Sequence, residues 1–395
     1  MSLSFEKPLR PSDPRPDSGR RIGRRGTLGG ASSLRVLVVL ATLFAMTFRP
    51  GVAEDRVWMQ GLVDAEVWDT DFESGFMTRA EGDPAPLGRL RLWAAGSFTD
   101  WLQGFALGRL EGGRASEAGE TQVELEQAYL RYSFAAPRRL VLQAGKLSLP
   151  YGNFARRYFS SDNPLIGNPL SYYLSYPLGI QVNGAVARFD YMMAVLDGPL
   201  TRQTYLKDPR SSPRPALAAG VTPVTGFRLG AYFTRGAYLS PDARTWLLPG
   251  KNLEDFKEKV VGGDLEYGRG HFELNGELTQ TRLEVPAAGI ARGRIWYLEP
   301  KYTFSPRWYA ALRWEQGNAP DAHWIWGTRW AALKARVHDL ETGVGFRINP
   351  RFLVKASHRV ELGRDDPGGG GQNGHAVALE FSYRFDLNAW FHRPR

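Results

Sequence analysis

The chain has 395 residues, 12% of them aromatic, with 44 glycines and no cysteine. This aromatic content is too high for a disordered chain. The lack of cysteine excludes a disulfide framework, a cysteine-ligated zinc site and a lipoprotein anchor. The net charge is +9, from 50 basic and 41 acidic residues, but residues 1–53 hold nine of the basic and three of the acidic ones. The remaining 41 and 38 nearly balance, so no nucleic-acid partner is predicted.

Residues 1–53 have the features of a secretory signal peptide with an extended basic n-region. Arginines at 20–25 precede the apolar run Leu34–Phe48, and the small residues Gly51 and Ala53 precede an acidic start at Glu54. A twin-arginine signal and an uncleaved anchor are the alternatives, although the run is short for spanning a membrane. The sequence therefore predicts export, with residues 54–395 forming one domain.

From Val57 onward, apolar and polar residues alternate in segments of about ten residues, which is typical of β-strands. In the clearest segment, Val377, Leu379 and Phe381 alternate with polar or small residues. The parity of 101–111 and 121–134 is ambiguous, because both faces mix polar and apolar groups. About sixteen strands are predicted, at 57–68, 87–98, 101–111, 121–134, 139–147, 178–187, 189–197, 215–222, 225–236, 258–268, 271–284, 292–304, 307–316, 335–348, 351–362 and 374–387.

The connections between these segments alternate between tight and long. Tight connections are predicted at 135–138, 222–224, 269–270, 305–307 and 349–350, and long ones at 69–86, 148–177, 198–214, 237–257, 317–334 and 363–373. Short turns on one rim and long loops on the other are typical of an outer-membrane barrel, with the turns in the periplasm.

The apolar parity ends in aromatic residues such as Trp308 and Trp314, whereas the polar parity contains charges of both signs. Aromatic side chains at strand ends are typical of the membrane interface. The fold class predicted is therefore an all-β transmembrane antiparallel β-barrel of about sixteen strands in the bacterial outer membrane. Its expected partners are outer-membrane lipid and lipopolysaccharide, and a large soluble β-protein is the alternative.

A barrel of about sixteen strands leaves an aqueous channel, so we predict passive diffusion of small hydrophilic solutes or ions. If the polar parity faces inward, Glu299 lies opposite Arg313 and Glu341 lies opposite Arg359. The predicted basic lining residues are Arg89, Arg91, Arg228, Lys301, Arg313, Lys355 and Arg359, and the acidic ones are Asp264, Glu266, Glu273, Glu299 and Glu341.

The connection 148–177 is the longest of the long loops and contains Arg156 and Arg157. If it folds inward, these arginines and Lys146 form a positive constriction that favours anions, by the ring-of-charge logic of channel selectivity. A solvated extracellular loop is the alternative.

No catalytic residue, metal site or cofactor is predicted. His338 and Asp339 are adjacent on a strand and so point to opposite faces. Glu266 and Glu273 are expected to lie opposite each other across a turn, as ordinary lumen acids. An outer-membrane barrel hydrolase and a plugged structural barrel are the alternative functions.

One stretch resembles the phosphate-selective porin O and P family. The matching residues are Glu126–Tyr132, Leu140–Gln143, Gly145-Lys146 and Pro150-Tyr151-Gly152. The resemblance implies a trimer of sixteen-stranded porins with an inward-folded third loop. The sequence departs from the family in having no inward ladder of arginines and no lysine cluster, and it continues ten residues beyond Phe385, so that Phe391 is a candidate for the last strand residue.

Overall fold

A computed structural model describes residues 57–71, 83–115, 121–134, 140–149, 151–171, 176–197, 212–239, 243–244, 247–286, 289–326, 329–364 and 372–388. The predicted signal peptide, Phe391 and part of each long loop lie outside these residues. In the described part of the chain, no helix is long and apolar enough to cross a membrane.

The described residues form sixteen strands that close into one antiparallel barrel in which each strand pairs with its neighbours in sequence and β1 pairs with β16. A closed barrel has no unpaired strand edge, which permits it to span a bilayer. The strands are β1 (Val57–Thr70), β2 (Ala85–Ser97), β3 (Leu102–Gly112), β4 (Gln122–Ser133), β5 (Leu140–Lys146), β6 (Leu178–Val186), β7 (Phe189–Asp197), β8 (Pro213–Val224), β9 (Phe227–Ala237), β10 (Lys257–Arg269), β11 (Phe272–Val285), β12 (Gly289–Thr303), β13 (Trp308–Trp326), β14 (Arg329–Asn349), β15 (Phe352–Arg364) and β16 (Gln372–Asp386).

The two faces of each strand differ as the alternation predicts. On β16, Val377 and Leu379 are 55% and 40% exposed, whereas Ala378 between them and Glu380 and Ser382 after them are each 2% exposed. The apolar side chains therefore face outward and the charged ones face the lumen. A closed barrel with this polarity is an outer-membrane β-barrel.

All sixteen predicted segments overlap an observed strand, but the turns expected at 269–270 and 349–350 each lie one residue later, and two other connections differ more. The turn expected at 222–224 is formed by residues 225–226, because Gly226 has the positive φ of +83° that a tight turn needs. The loop expected at 317–334 is largely strand, because β13 continues to Trp326 and β14 begins at Arg329.

The ambiguous parity of β4 has a structural cause. Arg109 pairs with Glu124 but Leu107 pairs with Gln127, so the register shifts by one residue around Glu126. This β-bulge reverses which parity faces the lumen halfway along the strand. No single alternation can describe such a strand, and the sequence pattern fails there for that reason.

Large rings cover glycines at three cross-strand pairs. The ring of Phe385 lies over Gly61 on the outer face, while Tyr232 lies over Gly262 and Tyr309 lies over Gly345 on the inner face. A Cβ added at each glycine would stand only 2.1 Å from the facing ring. These glycines therefore make room for an aromatic side chain that packs flat on the sheet.

Candidate functional site

The connection after β5, which we call the inner loop (residues 148–177), folds into the barrel. Asn153 begins the short 3-10 turn Phe154–Arg156, and its side chain donates hydrogen bonds to the carbonyls of Leu265 (2.9 Å) and Gly276 (3.3 Å) on the wall. The Tyr297 hydroxyl donates to Asn153 Oδ1 at 2.5 Å. These partners lie more than 100 residues away in sequence, on β10, β11 and β12. Of the two arrangements that the sequence left open, the inward-folded loop is the one observed.

Lys355 on β15 binds the middle of the inner loop. Its fully buried ammonium donates to three loop carbonyls, those of Ser160 (3.0 Å), Asn163 (3.2 Å) and Leu165 (2.9 Å). It also pairs with Glu380 at 2.7 Å. This lysine therefore holds the loop rather than presenting a charge to the channel.

Arg313 and Glu341 bind the next part of the loop. Glu341 accepts hydrogen bonds from the backbone N–H groups of Ile166 (3.2 Å) and Gly167 (2.9 Å). Arg313 donates to the Gly167 carbonyl at 2.8 Å and to Asn163 Oδ1 at 3.2 Å. Both wall residues are buried, with exposures of 0% and 1%.

The other side of the loop packs on β1, β2 and β4. The Tyr158 hydroxyl donates to Glu126 at 2.9 Å, and Ser160 donates to Asp64. Phe159 stacks on Trp93 with 5.7 Å between ring centroids. Burial raises the pKa of the Tyr158 phenol, and the adjacent Glu126 carboxylate raises it further, because both disfavour the phenolate.

The predicted cross-strand pairs are observed. Arg313 pairs with Glu299 at 2.7 Å, and Glu341 lies opposite Arg359 in the register of β14 and β15. Arg359 binds Asp339 diagonally, however, and Glu341 instead pairs with Arg313, which lies opposite it on β13, at 3.2 Å. His338 pairs with Leu362 in the register, on the opposite parity from the lumen-facing Asp339, as expected. Glu266 and Glu273 are not opposite each other, because the two-residue turn at 270–271 places Glu266 opposite Asn275.

Arg89 and Arg91 belong to a second network, on β1 to β4. Arg89 pairs with Glu66 (2.8 Å) and Glu111 (2.7 Å), and Arg91 pairs with Asp64 (3.2 Å). Lys146 is buried among Glu124, Glu126 and Arg109. Lys301 pairs with Glu273 at 2.7 Å. The predicted basic residues on the wall thus face the lumen beside carboxylates, which reduces the field that a passing ion meets.

The predicted constriction arginines have different surroundings. Arg157 pairs with Glu299, and its side chain is 15% exposed. Arg156 pairs with Glu266 but remains 53% exposed, and it lines a cavity of about 540 Å³. Lys146 and Arg157 do not line this cavity. Of the three residues predicted to form a positive constriction, the structure brings Arg156 to open space.

The cavity at Arg156 lies between the inner loop and the inner faces of β5 to β10. Arg228 crosses it, bound to Asp190 at 2.6 Å and to Asp264 at 2.7 Å. A Cβ at Gly220 would stand 2.2 Å from this guanidinium, so the glycine makes room for it. The rest of the wall is largely small or apolar and includes Val141, Gly184, Ala185, Met192 and Ala218. These small side chains leave the lumen open on this side.

Several lumen residues were missed by the sequence analysis. Arg109 binds Glu124 at 2.5 Å and Glu126 at 3.1 Å. It was missed because it lies on β3, which pairs with the bulged strand β4 and whose parity was ambiguous in the sequence. Asp190 was missed because its β7 neighbours on the lumen face, Met192 and Ala194, are apolar and hide the parity. In the part of the chain that the structure describes, no group of three or more His, Asp or Glu side chains is placed to hold a metal ion.

The fold and lumen define a class: a sixteen-stranded outer-membrane barrel with a polar interior and an inward-folded loop. Solved outer-membrane porins have a similar fold. OmpF of Salmonella typhi, solved with daunomycin, is 13% identical at a TM-score of 0.58, over 84% of this chain and 98% of that one. The anion-selective porin from Comamonas acidovorans is 12% identical at a TM-score of 0.57, over 83% of this chain and 99% of that one. OprB of Pseudomonas putida is 11% identical at a TM-score of 0.57, over 84% of this chain and 95% of that one. No protein-family model and no curated protein matches the chain.

Proposed function

We propose that this chain is an outer-membrane porin, a water-filled channel for passive diffusion of small hydrophilic solutes or ions. The observation that supports this proposal is the cavity of about 540 Å³ between the inner loop and β5 to β10, lined by charged Arg156, Arg228 and Asp264 and by small side chains. Side chains fill the interior of an eight-stranded barrel, whereas sixteen strands leave space for water.

Reconstitution of the mature chain in a planar bilayer tests this function. A porin gives stable conductance that rises in proportion to salt concentration. A plugged structural barrel gives no conductance. That alternative is supported by the attachment of the inner loop to the wall on both sides, through Lys355 on β15 and through the hydrogen bond from Tyr158 of the loop to Glu126 on β4. A silent barrel that releases fatty acid or peptide from added substrates would instead indicate the hydrolase.

We further propose a preference for anions, which depends on Arg156. Its side chain is the most exposed of the three predicted constriction residues, at 53% against 15% for Arg157, while Lys146 is buried. Arg228 is bound by two carboxylates and adds little net charge. The preference is therefore expected to be weak, and the sign of the reversal potential in a salt gradient measures it.

Three finer expectations stay proposals with tests of their own. Phosphate selectivity, implied by the resemblance around Glu126–Tyr132, predicts that millimolar phosphate blocks chloride current. Trimerisation predicts a threefold mass in mild detergent. Removal of residues 1–53 on export predicts that the N-terminus of the protein purified from membranes begins at Glu54.

A further inference from the structure

The short-turn rim of the barrel presents a row of exposed arginines. Arg188, Arg307 and Arg351 lie in turns of this rim, and Arg269 ends β10 beside the turn at 270–271. All four are exposed, and in the part of the chain that the structure describes none of them forms an ion pair. Asp100 is the exposed acid in the short turns that the structure describes. The rim therefore has a clear positive charge, unlike the balanced lumen.

An outward-facing aromatic residue follows each of these arginines. Phe189, Trp308 and Phe352 are the next residues after Arg188, Arg307 and Arg351, and Phe272 follows Arg269 by three positions. The next residues Asp190, Tyr309, Leu353 and Glu273 face the lumen, so the aromatic side chains face outward. Phe189 is 63% exposed, Trp308 49% and Phe272 37%.

This order fixes where the arginines lie relative to the bilayer. Outward aromatic side chains at strand ends lie at the headgroup level of a membrane. Arg188, Arg307 and Arg351 lie one residue beyond these rings, on the turn side, and Arg269 lies directly opposite Phe272 in the register. A guanidinium at this level reaches the lipid phosphates, and its planar fork matches phosphate oxygens. Basic side chains near an anionic lipid surface each contribute to the attraction.

We propose that this crescent of arginines, Arg188, Arg269, Arg307 and Arg351, binds the phosphate groups of anionic phospholipids in the periplasmic leaflet of the outer membrane. The partner is an acidic phospholipid such as phosphatidylglycerol. Binding here orients the barrel and fixes its depth in the bilayer, and it does not depend on the channel proposed above.

Photo-crosslinking of the reconstituted full chain tests this site. The protein is placed in phosphatidylcholine bilayers containing a photoactivatable phosphatidylglycerol or a photoactivatable phosphatidylcholine, and labelled residues are mapped by mass spectrometry. We expect phosphatidylglycerol to label the segments around Phe189, Phe272, Trp308 and Phe352 at least about fivefold more than phosphatidylcholine. Equal labelling by the two lipids would overturn the proposal.

Two variants separate the site from a general charge effect. R188Q/R269Q/R307Q/R351Q should lose the preference at these segments, and the matched variant K259Q/R282Q/R292Q/R294Q, which removes four exposed cations near the opposite ends of β10 to β12, should keep it. Both must first show the heat-dependent electrophoretic shift of a folded barrel. If the rim variant keeps its lipid labelling but loses binding to purified peptidoglycan, the arginines serve that acidic polymer and the lipid proposal is wrong.

Discussion

At the scale of single residues, the lumen uses its charges mainly to hold the inner loop, and Arg156 is the clearest exception. Its side chain is 53% exposed in the cavity, although it pairs with Glu266. Arg156→Glu changes the local charge by two units, which alters the energy of a monovalent ion about 6 Å away in water by about 1.4 kcal/mol before screening. We expect the chloride-to-potassium permeability ratio to fall about fivefold, measured from the reversal potential.

The matched control for this change is Arg235→Glu. Arg235 is similarly exposed, at 57%, but its alternation on β9 puts it on the face opposite Arg228 and Thr234. The control should leave the permeability ratio unchanged. If both variants shift the ratio equally, or neither does, Arg156 does not set the selectivity of the channel.

Lys355 has the opposite role, because all its donors are used inside the protein. Lys355→Met keeps the length of the side chain but leaves Glu380 and three loop carbonyls without the ammonium. Removing one partner of a buried ion pair costs about 3–5 kcal/mol. We expect the free energy of unfolding in urea to fall by this amount and the inner loop to become sensitive to protease.

Lys301→Met makes the same change in a more exposed pair. Lys301 binds Glu273, whose side chain is 47% exposed, so solvent replaces the lost partner. The expected cost is about 1 kcal/mol or less. Equal losses for the two lysine variants would show that Lys355 does not fasten the loop.

At the scale of strands and loops, the glycine–aromatic pairs fix how the sheet packs. Gly345→Ala would place a Cβ 2.1 Å from the Tyr309 ring, so the ring must move. That movement disturbs the hydrogen bond that the Tyr309 hydroxyl donates to the Pro164 carbonyl of the inner loop. Overpacking of this kind costs about 1–3 kcal/mol. We expect that loss in urea unfolding of Gly345→Ala, whereas Gly268→Ala, where nothing lies within 4 Å, should change stability little. A Gly345→Ala variant as stable as Gly268→Ala would contradict the packing described.

The contact of the inner loop with β4 should weaken at high pH. The pKa of Tyr158 is raised in the folded protein by burial and by Glu126, so the unfolded or undocked phenol loses its proton first. Its contribution to loop docking is therefore complete below about pH 10, the ordinary pKa of tyrosine, and declines as pH rises above that value. Tyr158→Phe removes this pH dependence together with the 2.9 Å hydrogen bond to Glu126.

Protease cleavage of the inner loop between pH 8 and 11 measures this effect. The wild-type loop should become more accessible above pH 10, after correction for the enzyme's own pH profile. The Tyr158→Phe loop should show a smaller rise from a higher starting value. Identical pH profiles would mean that Tyr158 does not contribute to docking.

At this scale, the sequence predicts features that depend on neighbouring residues, and it does not predict features formed by residues far apart in the chain. The alternation on β15 and β16 is local, and it correctly predicted which face meets lipid. The bulge at Glu126 interrupts that pattern, and the extension of β13 to Trp326 depends on pairing with β14 rather than on its own residues. The attachment of the inner loop was beyond prediction, because Lys355 meets Ser160 across 195 positions.

At the scale of the whole molecule, the barrel is inverted relative to a soluble protein, and neighbouring residues test this directly. On β8, Leu217 faces outward and is 45% exposed, while Ala218 lines the cavity in the lumen. The same substitution to arginine at these two positions therefore puts a charge into lipid or into water. An arginine facing lipid at the middle of a barrel strand costs about 2–4 kcal/mol.

We expect Leu217→Arg to lower the free energy of unfolding in lipid by about that amount and to leave ion selectivity unchanged. Ala218→Arg should cost little stability, because the side chain reaches hydrated space beside Asp190 and Asp264, and it should raise the chloride-to-potassium permeability ratio while lowering conductance. Stability is measured by urea titration in vesicles and selectivity by reversal potential, on the same preparations. Because the two residues are adjacent, both variants have the same effects on local strand propensity and turns. The difference between their free energies of unfolding therefore reports whether lipid or water lies on each side of the barrel wall. If Ala218→Arg proves the more destabilising variant, the lumen is not filled with water, and both the inverted arrangement and the channel that depends on it are wrong.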